Sequence, residues 1–92
     1  RYLVTYDICA DKRRDRVFRI LRDFGDHIQY SVFVCEVNER ELVSLRASLT
    51  EAAHLRDDQV LFVDLGPAAN EPMDRVSSIG RAFSLPSRVT VV

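Results

Sequence analysis

Residues 2–8, Tyr-Leu-Val-Thr-Tyr-Asp-Ile, alternate with a period of two, and that alternation constrains the fold more than any other feature of the chain. Tyr2, Val4, Tyr6 and Ile8 fall on one face of a strand, and Leu3, Thr5 and Asp7 on the other. The first set is wholly apolar or aromatic and suits packing under helices. The second set ends on an acid at the closing edge of the strand, away from the helical layer. A half-buried carboxylate is costly unless it is paired, hydrogen-bonded or bound to a metal. Asp7 therefore reads as a site residue.

The period then changes to 3.6. Over roughly residues 12–24, Val17, Ile20, Leu21 and Phe24 gather on one arc, opposed by Lys12, Asp15, Arg16, Arg19, Arg22 and Asp23. Asp11 is expected to cap this helix and Gly25 to close it in the left-handed conformation. Arg13 lies near the apolar arc in the first turn, where it can turn back toward Asp7 as a structural ion pair or share a phosphate with it. "HIQYSVFVCEV", residues 27–37, is rich in β-branched and aromatic residues. It fits one long strand or a tight antiparallel pair bent near Ser31. A second helix is expected over 39–53, carrying Leu42, Leu45, Leu49, Ala52 and Ala53 on one face, with Asn38 and Glu41 as a capping box. "DQVLFVDL", residues 58–65, reads as a further strand.

The resulting order, β-α-β-β-α-β, predicts an α+β, ferredoxin-like core over residues 1–65, with two helices over one sheet face. Residues 66–92 are surplus to it. Within them, 75–79 and 88–92 each suit a short strand that adds to a partner's sheet edge. A chain of 92 residues has a core with little excess, and a second copy covering the open sheet face would help it.

Charge distribution matters more than its sum. The net charge is −1, from 13 Lys plus Arg against 14 Asp plus Glu, which excludes a protein that coats nucleic acid by bulk charge. Yet residues 12–22 hold Lys12, Arg13, Arg14, Arg16, Arg19 and Arg22 against Asp15 alone. This face reads either as a phosphate-facing surface or as a solvated helix. Tyr6 and Phe33, read from their residue type and pattern, are core or dimer-face aromatics, with contact to bases as the lesser alternative. Cys9 and Cys35 have neither metal spacing nor disulfide density, and are read as small, partly buried residues in a reducing cytosol. His27 and His54 are read as surface or strand-edge histidines. No apolar run has the length of a membrane span and no signal peptide is apparent, so a cytoplasmic location is expected. Because the chain opens on Arg1, a leading residue or two is expected before it.

Taken in order, Tyr6-Asp7-Ile8, then Asp11, Arg13 and Arg14, then Gly25, then Gln29-x-Ser31-Val32-Phe33, resemble the pattern of the small CRISPR-associated endoribonuclease family, the lesser partner of the integrase in spacer acquisition. Residues 2–65 carry the match closely, and "DRVSSIG" (74–80) looks like that family's exchanged terminal strand. The resemblance implies a homodimer with facing sheets and makes Asp7 the catalytic, metal-binding acid. Two copies of Asp7 across a two-fold axis would hold one Mg²⁺ for phosphodiester cleavage. Arg13, Arg14, Arg16, Arg19 and Arg22 would bind the phosphates of double-stranded DNA or RNA, and Tyr6, Ser31 and Phe33 would lie beside the site. The alternative it implies is a non-catalytic adaptor that holds duplex DNA between integrase dimers. A dimeric ligand-sensing domain of the same fold lacks support from any Gly-rich loop or convergent polar pocket.

Overall fold

The apolar half of the first strand is where the core forms. In the computed structural model, which describes residues 1–67 and 75–82, the elements run β1 (Tyr2–Asp7), α1 (Asp11–Phe24), β2 (Gly25–Gln29), β3 (Val32–Cys35), α2 (Glu39–Ala52) and β4 (Gln59–Asp64). Four strands make one antiparallel sheet in the order β2-β3-β1-β4. This is the ferredoxin-like arrangement expected from the order of periods. Val4, Tyr6, Ile8, Val17, Leu21, Phe33, Cys35, Leu45, Leu49 and Ala52 form its buried cluster, joining β1 and β3 to both helices. A large side chain buried in such a cluster contributes about 1.5–3 kcal/mol.

The segment 27–37 resolves as a pair of strands, with the bend at Tyr30–Ser31. The pairing is irregular between His27 and Gln29, and this irregularity takes up the odd residue of a hairpin that lacks an Asn-Gly turn. Helix α2 carries the expected capping box: the Asn38 side chain accepts from the Glu41 N–H, and Glu41 accepts from the Asn38 N–H.

Two expectations at the ends of α1 are corrected. Asp11 is the first helical residue and Ala10 occupies the cap, its carbonyl accepting from the Arg14 N–H at 2.9 Å. A carboxylate at that place still favours the positive end of the helix. Gly25 is extended, at φ −164°, and not left-handed. It has a different reason to be glycine: a Cβ there would stand 2.3 Å from the Val34 carbonyl oxygen and 2.6 Å from Cys35 Sγ. The close approach of β2 to β3 leaves no room for a side chain.

Leu3, Thr5, Val32, Val34, Leu61 and Val63 share the sheet face opposite the helices, by the registers Leu3↔Val34, Thr5↔Val32, Leu3↔Val63 and Thr5↔Leu61. Leu61 and Val63 remain 50% and 45% exposed. Of the two C-terminal segments expected as strands, residues 75–79 are described and form no strand, whereas 88–92 lie outside the described residues. Among the described residues no helix is long and apolar enough to cross a membrane.

Candidate functional site

Asp7 closes β1 opposite Gln59 of β4, on the face away from the helices. It is exposed, and among the described residues its carboxylate has no ion pair or hydrogen bond. The expected pairing with Arg13 is corrected. Arg13 instead makes a two-pronged contact to Asp58, Nε to Oδ2 at 2.8 Å and Nη2 to Oδ1 at 3.2 Å. Asp58 Oδ2 also accepts from the His54 N–H at 2.8 Å, and the Asp58 side chain has no exposed surface. The Arg13 guanidinium, and then the His54 N–H, hold the Asp58 carboxyl below the usual carboxylate range. One acid thus ties α1 to the turn before β4. The pairing satisfies Arg13 and leaves Asp7 unclaimed.

Arg14 is also partly occupied. Its guanidinium donates to the carbonyls of Ile8 and Cys9 and to the Asp11 carboxylate, so it clamps the loop that leads from β1 into α1. Arg16 and Arg19 are exposed and, among the described residues, carry no ion pair. Arg22, also exposed, stands over the Phe18 ring at 5.7 Å. Of the five arginines expected to bind nucleic acid, Arg16, Arg19 and Arg22 therefore present their charge outward. Arg13 is neutralised, and Arg14 is divided between structure and surface.

A groove of about 310 Å³ lies between α1 and the β2–β3 hairpin, lined by Tyr6, Arg14, Asp15, Phe18, His27, Tyr30 and Ser31. Its aromatic floor is continuous. Phe18 meets His27 edge-on at 5.0 Å, His27 lies 4.8 Å from Phe33, and Tyr6 stacks on Phe33 at 6.4 Å. His27 Nε2 lies 2.8 Å from the Tyr30 carbonyl oxygen, which can only accept, and this contact fixes the bend. Burial pushes the Tyr6 phenol up, against the opposing pull of Arg14 and of the Ser31 side-chain hydrogen bond, so it stays protonated. The Tyr6 N–H donates to the Ser31 carbonyl at 3.0 Å, which seats the bend beside the Asp7 end of β1.

Tyr6 and Phe33 are core aromatics, 7% and 0% exposed, as their residue type and pattern suggest. Cys35 is buried and its thiol is pushed up to about 11 by desolvation. Cys9 is exposed, because it lies just past the end of β1 in the loop, which corrects its reading as partly buried. His27 and His54 are both exposed, in keeping with their reading. Among the described residues no three His, Cys, Asp or Glu side chains converge on a point. A single Asp7 offers oxygen ligands to a hard cation that keeps its waters, but a second carboxylate must come from elsewhere. Two features escape a reading along the chain: the Asp58 lock and the aromatic groove. The acid pair Asp57-Asp58 carries no signal of its partner, and Tyr30 is visible only as part of a strand-rich run.

Comparison with known proteins adds to this geometry. The sequence profile described as CRISPR associated protein Cas2 matches residues 1–73. A protein of Geobacter sulfurreducens named CRISPR-associated endoribonuclease Cas2 is 37% identical over 91 residues, covering 99% of this chain and 95% of its own length. A Rhodospirillum rubrum protein, CRISPR-associated endoribonuclease Cas2 1, is 33% identical over 99% of this chain and 88% of its own. Among solved structures, Streptococcus pyogenes Cas2 superposes with a TM-score of 0.74 at 32% identity, over 86% of this chain and 98% of that one.

Proposed function

The chain belongs to the Cas2 family of CRISPR-associated proteins, and on that premise we propose that it acts in spacer acquisition as a homodimer that binds nucleic acid and cleaves phosphodiesters with Mg²⁺ held between two copies of Asp7. The observation that carries this reading is the state of Asp7: exposed at the end of β1, on the sheet face away from the helices, and claimed by no cation among the described residues. The half-exposed Leu61 and Val63 on that same face support sheet-to-sheet pairing, which would bring the two acids toward one axis. Two carboxylates repel one another until a cation lies between them. When bound, Mg²⁺ supplies Lewis acidity toward a phosphodiester oxygen or a bound water. The chain's own part is to hold that ion through the Asp7 carboxylates and to seat phosphates on Arg16, Arg19 and Arg22. The relatives' names support an endoribonuclease activity; the Mg²⁺ dependence and the choice of DNA or RNA belong to this proposal.

A second reading is favoured by the arginines themselves. The outward face of α1 supplies phosphate contacts without sequence choice, which suits an adaptor holding duplex DNA for the CRISPR integrase. One substitution separates the two. Asp7→Asn abolishes Mg²⁺-dependent cleavage and leaves duplex affinity within about twofold if the catalytic reading holds. Cleavage that survives Asp7→Asn removes the metal centre and leaves the adaptor.

A further inference from the structure

The Arg13–Asp58 pair has no part in either account of Asp7, yet it closes on the same end of the sheet. The last rung of the β1–β4 ladder is Asp7↔Gln59, and Asp58 is the residue that leads into it. Strand ends are where local opening is easiest. Here both chains at that end are tied to α1. Arg14 holds the carbonyls of Ile8 and Cys9, just past Asp7, and Arg13 holds Asp58, just before Gln59. Asp58 passes this hold on to the turn behind it. Its side chain accepts from the His54 N–H at 2.8 Å, and its own N–H donates to the His54 carbonyl at 2.9 Å. The Asp7 carboxylate has no such partner among the described residues, so its position depends on the backbone beneath it.

We propose that Arg13 and Asp58 are positioning residues for the metal centre: by bracing the Asp7–Gln59 end of the sheet, they set how well two copies of Asp7 hold Mg²⁺. The inference rests on the metal reading above and deepens it, because it gives Arg13 a task other than phosphate binding. Mg²⁺ demands near-ideal octahedral geometry at about 2.0–2.1 Å, so a ligand that wanders is a poor one. In a symmetric pair the same displacement occurs in both copies at once. Groups that hold ligands in place without touching the metal typically contribute about 10- to 100-fold in metal affinity. The brace is suited to this work. Asp58 has no exposed side-chain surface, and the two-pronged contact fixes the plane of the guanidinium as well as its distance. Removing Arg13 leaves a buried carboxylate without its counter-ion, which the turn relieves by opening toward water.

The test measures uptake of Mn²⁺ alone, by loss of the free ion's electron paramagnetic resonance signal, beside Mg²⁺ titrations of RNA cleavage. Arg13→Ala is expected to weaken Mn²⁺ binding about tenfold and to raise the Mg²⁺ midpoint equally. Its cleavage rate at saturating Mg²⁺ and its duplex affinity should match wild type. Arg13→Lys, which keeps the charge and loses the fork, should fall between the two. Gly25→Ala is the control. It loosens the sheet near Tyr2, roughly 16 Å from Asp7 along β1, and should leave both metal readouts unchanged. If Arg13→Ala does not fold, Asp58→Asn carries the comparison, with the same direction expected. Unchanged metal affinity in these variants overturns the brace and leaves the Asp7 centre standing. An equal shift in Gly25→Ala makes the effect a general loosening, against the proposal. Weaker duplex binding by Arg13→Ala at unchanged metal affinity returns Arg13 to the phosphates and overturns it too. Wild-type protein that takes up no Mn²⁺, or Asp7→Asn protein that takes up as much, removes the metal centre and the brace together.

Discussion

Arg13 and Arg14 look equivalent as neighbouring residues in the sequence, yet one is locked onto Asp58 and the other clamps the loop after β1. The Arg13–Asp58 pair makes a prediction about acid stability. The folded carboxyl sits below its ordinary range, so the unfolded chain takes up its proton at a higher pH than the native one. Its stabilisation is complete above the ordinary aspartate value of about 4 and is lost as pH falls through the depressed folded value. Asp58→Asn should therefore lower the urea midpoint at pH 7, and the difference from wild type should shrink as pH falls below about 4. A midpoint difference that does not change with pH would mean that the pair acts through shape and not charge.

The elements show where a close approach decides the outcome. At the start of β2, Gly25→Ala places a methyl group against the Val34 carbonyl, which is backbone and cannot step aside. Overpacking of this kind costs about 1–3 kcal/mol, so a urea or thermal melt should move down by that amount. Unchanged stability would mean that the two strands can part at little cost. On α1, removing an arginine that neutralises one phosphate should flatten the dependence of log K on log salt by roughly 0.9. Replacing Arg16 and Arg19 together with alanine should flatten it by the sum of their two effects, whereas Arg13→Ala should leave the slope unchanged because Asp58 already neutralises that charge. A titration of duplex affinity from low to high salt reads both.

For the whole molecule, the sheet face carrying Leu61 and Val63 decides whether Asp7 has a counterpart. If the proposed homodimer pairs through this face, a charge placed there must be desolvated on association, so Leu61→Asp should take the light-scattering mass from two chains to one while circular dichroism stays native. A dimer that survives this change is built on another surface. The fold was largely legible beforehand because each period has a local cause: alternation in β1, the 3.6-residue arc in α1, and the Asn38–Glu41 box at α2. The candidate site was legible only in part. Asp7 and the outward arginines could be read along the chain, whereas Asp58 and the groove join residues far apart in sequence.

What the sequence determined by itself is what neighbouring residues dictate to one another: the order of strands and helices, the face each side chain takes, and an acid held off the helical side at the end of β1. Tertiary structure alone decided the partners. It sent Arg13 to Asp58 instead of Asp7, gave Gly25 a steric duty in place of a conformational one, and closed an aromatic groove between a helix and a hairpin. The physical reason is that periodicity follows from local backbone geometry. An ion pair or a cavity depends instead on which surfaces the packed core brings within a few ångströms.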